Sequence, residues 1–140
     1  MKKSDWYEDR ILWRAAKHHL DSCLWRNFSL SNEQAAEHIL KKAAGYGAPL
    51  IIFWLNDDTW TLVTSQFLVG EIAARISAVN LDMLGEMSTV NDINLPPNEV
   101  KQSAEYIKVG ADEKIFWTHR GNNHFSLLNI LRVFPLNVPE

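Results

Sequence analysis

The sequence predicts an α+β fold, with an N-terminal helical pair packed on an antiparallel β-meander or bent sheet and a capping helix at the C-terminal end. Three observations predict it. Apolar residues recur at helical spacing through residues 5–44. Leu50 to Gly70 is dense in aromatic and β-branched residues and is broken by one acidic turn. Helical spacing then returns over Phe125–Phe134. At 140 residues and 46% hydrophobic composition, the chain is expected to form one globular domain. Its helical part is 1–47, and the sheet with the last helix is 48–140.

A first helix is predicted over 5–26. Trp6, Trp13, Ala16, Leu20, Cys23 and Leu24 form its apolar stripe, Arg10, Arg14, Lys17 and Asp21 form its wet face, and no Pro or Gly interrupts it. Phe28-Ser29-Leu30 reads as a short link to a second helix over 32–44. Ser31 and Gln34 have capping-box spacing there, and Gly45 supplies the stop. Such a short link implies an antiparallel pair.

After Pro49 the period changes. Residues 50–55 are continuously apolar, which fits a strand covered on both faces or a strand end capped by a helix. Asn56-Asp57-Asp58 is a turn, because Asn and Asp bond to nearby backbone. In 59–64, Trp60, Leu62 and Thr64 point one way and Thr59, Thr61 and Val63 the other. Phe67–Gly70 makes a third strand. Residues 71–95 fit either strand or helical turn, and Pro96-Pro97 is a firm break. Residues 98–102 read as polar loop or brief helix. Strands are predicted over 104–109 and 114–119, and a final helix runs from Asn123 as N-cap to Phe134.

Net charge is −3, unevenly spread: residues 1–45 carry +2, 46–81 carry −2, 82–113 carry −5 and 114–140 carry +2. A nucleic-acid binder should show a basic stripe, and none is visible. The acidic middle favours a protein partner with a basic surface, through Asp82, Glu86, Asp92, Glu99 and Glu105. No apolar run approaches the ~18 residues that span a bilayer. Lys2-Lys3 precede no apolar stretch, so the start does not read as a secretory leader, and a cytoplasmic location is expected. Six tryptophans (Trp6, Trp13, Trp25, Trp54, Trp60 and Trp117) divide between core and binding surface.

Catalytic signatures are missing from the pattern. Cys23, the single cysteine, lies on an apolar stripe and reads as a core thiol. His19 and Cys23 have the i, i+4 spacing of helical metal ligands, but two ligands do not make a site, and neither metal nor cofactor is expected. The adjacent carboxylates Asp57 and Asp58 read as turn chemistry. His119, Arg120 and His124 surround a loop. A strand-end His with a loop Arg and nearby Asn donors could grip a carboxylate or phosphate, which is the alternative ligand site.

Residues 50–134 resemble a bacterial pleckstrin-homology-like domain of the GRAM-type group. The resemblance rests on Trp60-Thr61-Leu62-Val63-Thr64-Ser65-Gln66-Phe67-Leu68-Val69-Gly70, which is similar to that family's second and third strands. It rests also on the run of short strands ending in one amphipathic helix, Phe125–Phe134. The resemblance implies a bent β-sandwich with the helix plugging one end. Members that bind phosphoinositides crowd basic residues into the loop between their first two strands. Here that loop is Asn56-Asp57-Asp58, which would repel a lipid phosphate.

Two functions from different classes follow. The first is a non-catalytic protein-binding domain, in a concrete version an immunity protein that plugs the site of a basic bacterial toxin. The second is a small-molecule-binding or enzymatic domain with His119, Arg120 and His124 at the rim of a pocket between the helices and the sheet. A membrane-surface adaptor of pleckstrin-homology-like type is a third.

Overall fold

A computed structural model describes residues 2–90 and 105–139. The four helices among them are α1 (Lys3–Lys17), α2 (Trp25–Ser31), α3 (Glu33–Lys42) and α4 (Asn122–Leu131). Strands β1 (Pro49–Asn56), β2 (Thr59–Thr64), β3 (Phe67–Ile72) and β4 (Arg75–Asn80) form one antiparallel sheet in sequence order. Strands β5 (Met87–Thr89), β6 (Tyr106–Val109) and β7 (Lys114–Trp117) form a second, also antiparallel. This is the α+β architecture the sequence predicts, ending in a helix.

The first helix differs from expectation. One helix over 5–26 is instead α1, a 3-10 turn at Asp21–Cys23, and α2. The stop after Lys17 is a Schellman motif: His19 N–H bonds to the Ala16 carbonyl and Leu20 N–H to the Ala15 carbonyl. Glycine normally fills the left-handed position of this motif. Here His19 fills it, at φ 60°, so the sequence shows no stop signal. The buried face is also rotated from the predicted stripe. Tyr7, Ile11 and Ala15 are buried, whereas Trp13 is 49% exposed. Phe28-Ser29-Leu30 is not a link but part of α2. Asn32, not Ser31, stands at the N-cap of α3, and Ser31 Oγ donates to the Asn27 carbonyl.

Strands β1, β2 and β3 of the larger sheet are buried on both faces, which explains the unbroken apolar run of β1. Ile51 and Phe53 face one core with Val63, Leu68, α1, α4 and the second sheet. Ile52 faces the other with Trp60, Leu62, Val69 and the α2–α3 pair through Phe28, Ala36 and Ile39. The two sheets meet closely at Gly70, where a Cβ would lie 2.8 Å from Phe116 Cδ1. Beside it, Thr61 Oγ1 donates to the Trp117 carbonyl.

The helix-covered face contains one carboxylate. Trp60 pairs across the strands with Glu71, and Glu71 with Ile76. Glu71 is fully buried, and Lys42 of α3 holds both its oxygens at 2.7 Å. A buried carboxylate without a counter-charge is very costly, so α3 is electrostatically tied to β3 as well as packed on it.

Part of the ambiguous 71–95 stretch is now resolved: β3 runs on to Ile72, β4 pairs with it, and a 3-10 turn at Leu81–Met83 leads to β5. Residues 91–95 and the predicted 98–102 loop lie outside the described residues. The β3–β4 turn is Ala73-Ala74, at φ 50° and 69°. Positive φ at both central residues is the hairpin geometry that Asn-Gly favours, so two alanines there carry strain and conceal the turn. β4 is an edge strand, and Lys114 Nζ donates to its Ala78 carbonyl at 3.0 Å, a charged group placed on an open edge. The last helix begins after Gly121, not Asn123, and ends at Leu131 rather than Phe134.

Two substitutions test these devices by urea denaturation. Ala73→Asn with Ala74→Gly should stabilise the fold by about 1–2 kcal/mol. Lys42→Met should destabilise it by about 3–5 kcal/mol, and adding Glu71→Leu should recover most of that loss.

Candidate functional site

The most promising surface is a groove along the outer edge of β1. The first half of this edge is covered, because Leu24 bridges to Ile51. Beyond it, strand alternation sends Trp54 to the same face as Ile52, where its ring lies 5.9 Å from that of Phe28 in α2. Trp54 divides the groove into two halves, and Asn32 also lines both.

The outer half, about 550 Å³, lies between the α2–α3 junction and the β1–β2 turn. Leu30 stands here at 79% exposure, with Ala35 and Trp54 beside it. Glu33 and Asp57 form an acidic rim. The turn that carries Asp57 is held by Asn56 Oδ1, which accepts from Asp58 N–H at 2.9 Å. His38 Nε2 also lies 3.2 Å from the Asp57 carbonyl. Asp57 and Asp58 therefore serve a turn, as their sequence suggests.

The inner half, about 340 Å³, is lined by Ser22, Cys23, Phe28, Ile52, His119 and Asn123. Asn123 Nδ2 donates to Cys23 Sγ at 3.6 Å. Burial pushes the Cys23 thiol up, against a smaller opposing hydrogen bond from Ser22. Burial also pushes His119 down, against the Trp54 carbonyl. Both groups are therefore neutral near pH 7, without the charge separation a thiolate nucleophile requires. His119 packs edge-on against Trp117 and Phe53, and its Nδ1 is buried without a partner, as is Trp54 Nε1. The arrangement offers apolar and neutral hydrogen-bonding contact inside and negative charge outside.

The loop residues proposed as a ligand site point in three directions. His119 lines the groove. Arg120 is exposed and paired with Glu105, at 3.2 and 3.5 Å. His124 is fully buried between the Thr118 and Thr89 hydroxyls, at 2.7 and 2.9 Å. No two of them share a binding surface in these contacts.

The acidic residues are similarly dispersed. Asp82 binds Lys3 and accepts from the Tyr7 hydroxyl. Glu105 is held by Arg120. Glu86 is exposed at a separate cleft of about 470 Å³, beside Lys108, Glu113 and Arg132. Asp92 and Glu99 lie outside the described residues. Among the described residues no group of three or more His, Cys, Asp and Glu converges, and His19 is exposed while Cys23 is buried. No helix among them is long and apolar enough to cross a membrane. Leu30, Asn32 and Glu33 carry no site signal in the sequence, where a link and a cap account for the α2–α3 boundary.

No protein-family model, curated protein or solved structure matches the chain.

Burial holds the His124 pKa at about 4, below its ordinary 6.5. The neutral ring is thus favoured by folding, and its contribution is complete above pH 6.5 and lost as the pH falls toward 4. Unfolding free energy should drop by about 2–3 kcal/mol between pH 7.5 and 4.5 from this residue. Urea midpoints at the two pH values, compared with those of His124→Gln, measure the difference, which should be largely absent in the variant.

Proposed function

We propose that the chain is a non-catalytic protein-binding domain whose groove at Trp54 accepts a segment of a partner protein. The observation that carries this reading is Leu30, 79% exposed beside Trp54, with Glu33 and Asp57 at the rim. A large apolar side chain left in water next to a tryptophan matches the centre of an interface, and the acidic rim fits a basic partner. A basic toxin is one such partner, so an immunity protein is the concrete version. Negative charge over residues 82–113 supports it, although two of the described carboxylates named for that face are already paired.

The four-stranded and three-stranded antiparallel sheets followed by one helix support a pleckstrin-homology-like reading of residues 50–134. The acidic β1–β2 turn argues for protein rather than lipid as the ligand of such a domain. A second reading, small-molecule binding, rests on the inner half of the groove. The neutral Cys23, His119 and Asn123 there favour an uncharged ligand.

Affinity purification of the tagged chain from its native host tests the first reading. A basic protein should be recovered, and Leu30→Asp or Trp54→Ala should reduce its affinity by tenfold or more, on the order of 2 kcal/mol. Recovery of no stable partner, or equal recovery with both variants, would sink the proposal.

A further inference from the structure

We propose that the cleft between β5, the β6–β7 turn and the end of α4 binds a small zwitterion, a molecule with one carboxylate and one ammonium group on an apolar body. The cleft is separate from the groove at Trp54 and shares no lining residue with it.

Four charged side chains line the cleft, and they are of two kinds. Lys108 of β6 lies 3.7 Å from Glu113 of the β6–β7 turn, so these two offset each other. Arg132, at the C-cap of α4, and Glu86, just before β5, have no ion-pair partner among the described residues. They line one cleft without pairing to each other, because different elements fix their main chains. The Glu86 carbonyl accepts from Gly110 N–H at 2.9 Å, and Arg132 N–H donates to the Leu128 carbonyl at 3.0 Å. One cation and one anion thus stand apart around a space of about 470 Å³. A ligand with both charges satisfies both groups. A simple anion would meet the Glu86 carboxylate and a simple cation the Arg132 guanidinium, and each would be repelled.

The rest of the cleft suits such a molecule. Gly85 and Gly110 adjoin there, at φ 62° and 77°, and a Cβ on Gly85 would lie 3.9 Å from the Gly110 Cα. Two neighbouring glycines leave main chain bare, so a ligand can approach it closely. Phe134 and Met87 supply apolar surface, and Phe134 is held edge-on to Tyr7 at 4.9 Å. The volume falls within the range of about 300–1,000 Å³ usual for small-ligand sites. A guanidinium grips a carboxylate through two parallel hydrogen bonds, which assigns the carboxylate end to Arg132 and the ammonium end to Glu86. A free amino acid with an aromatic or long apolar side chain has this chemistry, and so does a dipeptide of such residues.

Titrations of the isotope-labelled chain, followed by NMR chemical shifts, test the proposal. Phenylalanine and leucyl-phenylalanine are the zwitterionic probes, and they separate a free amino acid from a dipeptide. Their N-acetylated forms lack the ammonium group, and their C-terminal amides lack the carboxylate. At least one zwitterion should bind with a Kd of about 1 mM or tighter and shift the Gly85 and Gly110 amides. Its acetylated and amidated forms should each bind about tenfold more weakly or worse. Arg132→Gln should weaken the zwitterion about tenfold and bring it level with the amide. Glu86→Gln should weaken it similarly and bring it level with the acetylated form. Both residues are exposed, so each variant should keep the wild-type fold, which circular dichroism checks. Binding of neither zwitterion, a single-charge form that binds as tightly as its parent, or variants that weaken all forms equally would each overturn the proposal. So would shifts confined to the groove at Trp54, which would assign the ligand to that site.

Discussion

The central sheet has to satisfy two hydrophobic cores at once. β1, β2 and β3 each send alternate side chains into a helical layer on one face and into the second sheet with α1 and α4 on the other. This leaves little room for error in register, because a slip of one residue would exchange the two cores. It also limits where charge can go. Glu71 falls within the helical core and is tolerated only because Lys42 reaches it from α3. A buried ion pair adds little net stability over a well-packed apolar pair, but it does select one placement of α3 over others that bury the same apolar area.

The same double burial shapes the surface. β1 is an edge strand, and its first half is closed by Leu24. Trp54 lies where that cover ends, so it is neither fully core nor fully exposed. The groove beside it inherits two characters from the elements that meet there. Toward Cys23 and His119, burial keeps the polar groups uncharged. Toward α3 and the β1–β2 turn, helix-start and turn residues contribute carboxylates. A partner segment with an apolar anchor and a cation would meet both characters along one path.

Much of the fold was legible in the residues. The aromatic-rich run after Pro49, with its Asx turn, appears as the β1–β2 hairpin, and the last amphipathic segment as α4. Two of the hidden features share one physical cause: backbone positions that glycine usually marks are filled by other residues. His19 in the Schellman stop and Ala73-Ala74 in the tight hairpin give no punctuation, so the sequence predicts too long a first helix and fits β4 to either strand or helical turn. The sequence also predicts the wrong phase for α1, because Trp13 is more hydrophobic than Ala15 yet half exposed, while Trp6 is only partly buried against the core. Helical spacing alone could not choose between the two stripes. The candidate site was less legible still. The loop residues 119, 120 and 124 are neighbours in sequence but diverge in space, while Leu30, Trp54, Cys23 and His119 come together from four separate elements.

Tyr7 joins distant parts of the chain: its hydroxyl donates to Asp82 and accepts from Leu136 N–H at 3.1 Å. The helix it belongs to packs against β1 and α4. During synthesis, α1 precedes both β1 and α4, the elements it packs against. Such long-range closure favours late docking, so the nascent chain would carry an incompletely covered amphipathic helix until α4 has emerged.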